Sequence, residues 1–219
     1  MRIKSDRAMT KKIKQTNSKK SNIKVYTLIF ICISLLSFLP FVRSGRTLVA
    51  YADGYNQYLP VYVYTGRYLR SLLKNIIVYH KIPLFDYSIG FGDDIIGTLN
   101  YYGFGDIFSL LSGLIPTRYA AYGLSFEIIL KYYFSGLSFL YFCKINKYDS
   151  RFSICGSIAY AFCGFNLESG SMFPMFSSAT VFLPLFMLGL QNQIYKRKSK
   201  NLVLVIAVFL TSLTGFYFL

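Results

Sequence analysis

The chain has 219 residues, 54% of them hydrophobic and only 15% charged, with a formal net charge of +15. That balance is too apolar for a soluble domain of this length and fits a helical membrane protein. The basic residues gather in short segments between apolar runs, which is how topology signals are arranged, so the positive charge gives no support to a nucleic-acid groove.

In chain order, residues 1–24 are rich in Lys, Ser, Thr and Asn and read as a solvated, disordered, cytoplasmic tail. The run VYTLIFICISLLSFLPF opens a first transmembrane helix over 25–42. A cleaved signal peptide is disfavoured, because the run is long and FVRSGRTL is a poor cleavage site. Further apolar segments at 120–142, 152–167, 177–190 and 202–219 give about five transmembrane helices in an all-α polytopic protein. The linkers alternate: KINKYDSR (144–151) and YKRKSK (195–200) are basic, ESGSMFP (168–174) is not. By the positive-inside rule the N-terminus and the two basic linkers are cytoplasmic, while 43–119 and 168–176 are outside. The sequence stops in its last apolar run, which reads as the N-terminal portion of something longer, with the 120–219 region truncated.

The segment 43–119 is too long for a simple connector and too rich in Tyr, Phe, Ile and Leu to be disordered. Residues 61–79 have helical periodicity, with Arg67, Arg70 and Lys74 on one face and Leu69, Leu72 and Ile76 on another. That is the pattern of a helix lying in the membrane interface. Residues 104–115 fit a second such helix, stopped by Pro116.

Five of the nine acids, Asp53, Asp86, Asp93, Asp94 and Asp106, fall in this segment. Asp53, in YADGYNQYLP just beyond the first helix, reads as a functional carboxylate able to act as a general base. Asp93 and Asp94, beside Gly90 and Gly92, suit a divalent cation or a polar ligand. Asp86 and Asp106 read as turn formers. Glu127 and Lys131 share a helical face in the second span, where each would cost about 3 kcal/mol if unpaired. They form a structural ion pair, or Lys131 meets an anionic headgroup or a pyrophosphate-type leaving group. The tyrosines, Tyr58, Tyr101 and Tyr102 among them, fit an aromatic belt or sugar-stacking platforms. The cysteines (Cys32, Cys143, Cys155, Cys163) have neither CxxC nor Cys/His ligand spacing and read as packing residues, and the single histidine, His80, as an interfacial one.

DGYNQYLP, GFGDDIIGTLNYY with GDIFSLL, LKYYFSGLSFLYF, YAFCGF, LPLFMLGL and GFYFL occur in this order. Together they resemble the YfhO family of bacterial membrane proteins over roughly residues 25–219. That family is similar to the GT-C glycosyltransferases, which move a sugar from a polyprenyl-phosphate donor on the outer face of the plasma membrane. The resemblance implies a cell-surface polymer such as lipoteichoic acid as acceptor and Asp53 as catalytic base. The mechanism built on that base takes Gln57, Tyr58, Tyr101, Tyr102, Asp93 and Asp94 as substrate-binding residues, and Arg67, Arg70 and Lys131 as cations at the leaving phosphate. No cofactor is required by this reading; a divalent cation is a candidate. A flippase for lipid-linked glycans, or a non-catalytic membrane scaffold, is the alternative.

Overall fold

In the computed structural model the described residues are 2–196 and 201–214, with side chains over 22–195 and 201–214. Most of the basic linker 195–200 and the closing GFYFL motif lie outside them.

The first helix, α1, runs Arg2–Arg43. The expected disordered tail is therefore helical in its backbone. No Gly or Pro occurs between residues 2 and 24 to stop a helix propagating back from the apolar run. Within α1, Asn22–Arg43 is long and apolar enough to cross a membrane. Its apolar surface is largely uncovered: Leu36 is 77% exposed and Val42 70%. A soluble protein rarely tolerates such a surface, whereas lipid requires it.

The second helix of this kind is Thr117–Ile145, whose α-helical part is α4 (Ala120–Ile145). Tyr26 and Phe30 of α1 pack on Leu124, Ile128 and Tyr132 of α4 in the main core, with Ala161 of the next helix and Tyr62 from the segment between the spans. The Tyr26 hydroxyl donates to the Tyr133 carbonyl at 2.8 Å, and Asn22 Nδ2 to Ser150 Oγ at 2.9 Å. Gly136 lets these helices approach, since a Cβ there would sit 2.6 Å from the Ser157 carbonyl oxygen and against the Tyr26 hydroxyl.

The third expected span, 152–167, is broken. Helix α5 (Ser150–Ala161) ends, Cys163 is extended, and α6 (Gly164–Met172) begins. At 1.5 Å per residue neither piece crosses a hydrocarbon core of about 30 Å. The buried side chain of Asn166 repairs the break: Nδ2 donates to the carbonyls of Tyr160 (3.3 Å) and Ala161 (3.0 Å), which have lost helical partners. Its Oδ1 accepts from Thr180 Oγ1 at 2.8 Å, tying the break to α7 (Phe176–Lys196). Helix α8 (Leu202–Thr214) packs back on α7.

Between the two spans the chain folds rather than loops. Helix α2 (Leu59–Lys74) is extended by single π-helical turns, Gly54–Tyr58 before it and Asn75–Tyr79 after it. The periodicity over 61–79 is thus a helix, and Arg67, Arg70 and Lys74 lie on its exposed side. A short antiparallel ribbon, β1 (Phe85–Asp86) with β2 (Asp93–Asp94), leads into α3 (Ile95–Leu99). Tyr68, Ile95 and Leu99 form a small core beneath it. The expected helix over 104–115 is instead 3-10, Ile107–Leu114, and Ser112 Oγ turns back onto the Ser109 carbonyl at 2.6 Å. The all-α reading therefore stands for the bundle, with this small ribbon as an exception.

Gly136→Leu should destabilise the full chain by about 1–3 kcal/mol, as overpacking does. The check is the thermal midpoint in detergent, against Gly164→Ala, which has open space around it. Equal midpoints would contradict the packing described.

Candidate functional site

The site has two storeys, a carboxylate-and-tyrosine group at the start of α2 and an ion cluster buried beneath the same segment. Backbone geometry fixes the first. Ala52 adopts a left-handed conformation (φ 73°), and the Ala50 N–H donates to the Ser171 carbonyl at 3.0 Å. A Cβ on Gly54 would stand 2.5 Å from that same carbonyl oxygen, so only glycine lets the helix start this close to the end of α6. Asp53 follows as the first helical residue, half-buried, and Oδ1 accepts from Gln57 Nε2 at 2.7 Å. The π-helical turn carries Gln57 and Tyr58; such turns recur at functional sites.

Tyr58 is buried, edge-on to Tyr102 (5.6 Å) and to Phe173 (6.0 Å), and Tyr102 is edge-on to Tyr101 (4.9 Å). Burial first, then Tyr101 and Asp53, push the Tyr58 phenol well above its ordinary value. Asp53, Gln57, Tyr58, Tyr101 and Tyr102 are thus brought together.

The second storey is centred on Lys131, which is 1% exposed. Its ammonium pairs with Asp106 Oδ2 at 2.6 Å and Glu127 Oε1 at 2.8 Å, and donates to the Pro174 carbonyl at 2.9 Å. An ammonium has three N–H donors, and these three partners use them. Asp106, fully buried, also accepts from Ser178 Oγ at 2.6 Å and from the Phe108 N–H at 3.1 Å. Phe108 lies beside the Lys131 ammonium, 5.7 Å from ring centroid to nitrogen. The hydroxyl of Tyr62 points to the same region: burial and then the Glu127 charge push its phenol up.

Several expected ligands have other duties. Lys131 is occupied by the cluster and does not present itself to a phosphate. Asp106, expected to be a turn former, caps the 3-10 helix and also anchors Lys131. The Arg70 guanidinium clasps the end of that helix, donating to the carbonyls of Ser112 (3.1 Å), Gly113 (3.4 Å) and Ile115 (3.0 Å) and to Thr117 Oγ1 (3.3 Å). Asp94 caps α3 through the Gly97 N–H, and Asp93 Oδ1 accepts from the Asp94 N–H at 2.8 Å. Among the described residues no group of three His, Cys, Asp or Glu side chains gathers to hold a metal ion. Arg67 remains exposed on α2. Two residues that the sequence did not single out, Ser178 and Asn166, are structurally central. Their signal was faint: a polar side chain in an apolar run that must find a partner.

Taken together, the chain is a helical membrane protein whose first two candidate spans enclose a folded segment, docked on the bundle through buried charges. It belongs to the YfhO family: the family model described as bacterial membrane protein YfhO matches residues 18–218. No curated protein and no solved structure gives a significant match.

Asp86 supplies a pH test. Tyr64 donates to Asp86 Oδ2 at 2.6 Å and the Ser88 N–H to Oδ1 at 2.8 Å, which holds this carboxyl below its usual range, the Tyr64 bond being the larger cause. A depressed folded-state value stabilises fully above the unfolded value, about 3.9, and the contribution disappears as pH falls through the folded one. The protection of residues 82–106 against hydrogen exchange, taken relative to the intrinsic rate at each pH, should therefore be full at neutral pH and decline below about pH 4. Asp86→Asn should exchange faster at neutral pH and respond less to acid. An unchanged profile in the variant would contradict this.

Proposed function

We propose that the chain carries the first-loop half of a membrane glycosyltransferase of the GT-C kind. It would take a sugar from a polyprenyl-phosphate donor and pass it to a surface polymer, such as lipoteichoic acid, on the outer face. The observation that carries the reading is Asp53: a half-buried carboxylate fixed at a helix start, one oxygen held by Gln57, facing the Tyr58–Tyr101–Tyr102 group. Family membership and the layout of span, folded loop and span support it.

In this mechanism Asp53 accepts the proton of an acceptor hydroxyl. The hydroxyl oxygen bonds to the anomeric carbon with inversion. The bond from that carbon to the donor phosphate oxygen breaks, and its electron pair leaves with the phosphate. The tyrosine group offers a sugar-stacking surface. Of the three proposed phosphate cations, exposed Arg67 is the one left to meet the leaving group. The donor and the enzyme share one membrane plane, which supplies proximity.

A flippase for lipid-linked glycans is the second reading. The broken α5–α6 helix and the buried Asp106–Lys131–Glu127 cluster favour it, since discontinuous helices and buried charges recur in transporters.

The test compares a deletion strain carrying wild type or Asp53→Asn at equal membrane abundance, with the glycosyl content of extracted surface polymers as readout. The transferase reading expects loss of one sugar substituent, by about 10²-fold or more, in the variant. Full glycosylation by Asp53→Asn overturns the base assignment. A change only in which leaflet holds the lipid-linked sugar selects the flippase.

A further inference from the structure

The cluster at Lys131 holds more acid than base. Asp106, Glu127 and Lys131 are all buried. Two carboxylates around one ammonium leave one negative charge in excess when all three are ionised. The other groups that hold the cluster bring no charge: the Ser178 hydroxyl and the Phe108 N–H on Asp106, the Pro174 carbonyl on Lys131, and the Ser109 hydroxyl beside Glu127. Among the described residues, the titratable groups that face Glu127 are Lys131 on its own helix, Asp106 from the 3-10 helix and Tyr62 from α2. None of them supplies a second cation. A buried charge without a counter-ion is neutralised by a proton instead of standing bare in a medium that cannot solvate it. Two carboxylates that share one site do this by keeping a proton on one of them.

Geometry decides which carboxyl keeps it. Both oxygens of Asp106 are acceptors: Oδ2 takes the Lys131 ammonium (2.6 Å) and the Ser178 hydroxyl (2.6 Å), and Oδ1 the Phe108 N–H (3.1 Å). Three donors aimed at one carboxyl favour its ionised form. Glu127 is different. Oε1 takes the Lys131 ammonium at 2.8 Å, but Oε2 is buried with no hydrogen-bond partner. A neutral acid suits this arrangement. Its carbonyl oxygen still accepts from Lys131, and its O–H needs only one acceptor. The Tyr62 hydroxyl is also buried without a hydrogen-bond partner, and it lies within the electrostatic reach of Glu127. The upward push that an ionised Glu127 would exert on the Tyr62 phenol is the same coupling seen from the tyrosine.

We propose that Glu127 is a proton-binding site: at neutral pH Oε2 carries one proton, directed toward the Tyr62 hydroxyl, and the Asp106–Lys131–Glu127 cluster is electrically neutral. The ligand is the proton itself, held within the second candidate span and against the segment that carries Asp53. Acids kept inside spans serve membrane proteins as places where a proton is taken up and released. This holds under the transferase and the flippase readings alike, because it concerns only the resting charge of the cluster.

The test is an infrared difference spectrum of the full chain, wild type minus Glu127→Gln, at neutral pH in an ester-free maltoside detergent. Wild type should contribute the C=O stretch of a protonated carboxylic acid and no carboxylate stretches. Carboxylate stretches without an acid band would overturn the site. Tyr62→Phe, which removes the hydroxyl and keeps the ring, should retain the acid band and move it to higher frequency. A band that stays in place would overturn the direction of the proton toward Tyr62. The thermal midpoint is a second readout. Glu127→Gln exchanges a neutral acid for a neutral amide of the same shape, so its midpoint should stay close to wild type, while Asp106→Asn removes an ionised partner of Lys131 and should lower it clearly. Equal losses in the two variants would mean that both carboxyls are ionised, and would overturn the assignment.

Discussion

Lys131 is the charge around which the rest of the molecule is arranged. It sits within a helix apolar enough to span a membrane, where water cannot solvate it. Breaking a buried pair by removing one partner typically costs about 3–5 kcal/mol, so such a group forces its surroundings to answer. Glu127, one helical turn earlier, is a local answer. The other comes from outside the helix: Asp106 at 2.6 Å, from the segment between the first two spans, with the Pro174 carbonyl completing the set. Because Asp106 and Pro174 belong to different parts of the chain, satisfying one ammonium fixes the first-loop segment, α4 and the α6–α7 connection in a single arrangement.

That arrangement carries upward to Asp53. The α6–α7 connection that meets Lys131 through Pro174 also places Phe173 against Tyr58, and just before it Ser171, in the last turn of α6, stands against Gly54. Asp106 packs near Gly103, directly after the Tyr101–Tyr102 pair. Arg70 secures the far end of the 3-10 helix that Asp106 begins. The carboxylate proposed as base is thus positioned by a chain of contacts that ends in a buried ion cluster.

Much of this is legible in the residues, and the failures have physical causes. The two long spans follow from apolar run length, α2 from its 3.6-residue periodicity, and the Glu127–Lys131 pair from its i, i+4 spacing. Each of these is a local property. Asp106 misleads because its decisive partner is remote in sequence; locally it does look like a turn former, and it caps Phe108 as one would. Arg70 reads as a ligand for a related reason: nothing local shows that the carbonyls of Ser112 and Ile115 would come to it. The 152–167 run is apolar enough to read as one span. Its break at Cys163 is bridged by Asn166 reaching back to the Ala161 carbonyl, which composition does not reveal. The same holds for Asp94, whose role as a helix cap hides within a run that also suits a cation.

The most direct measurement is a double-mutant cycle on Asp106→Asn and Lys131→Gln, read as thermal unfolding of the full chain in detergent. If the cluster ties the first-loop segment to the bundle, each single variant is strongly destabilised and the double variant loses far less than the sum. The coupling should fall toward the upper end of about 0.5–3 kcal/mol. Losses that add to within about 0.5 kcal/mol would show the two residues acting independently, and would contradict the central place of Lys131 in the fold.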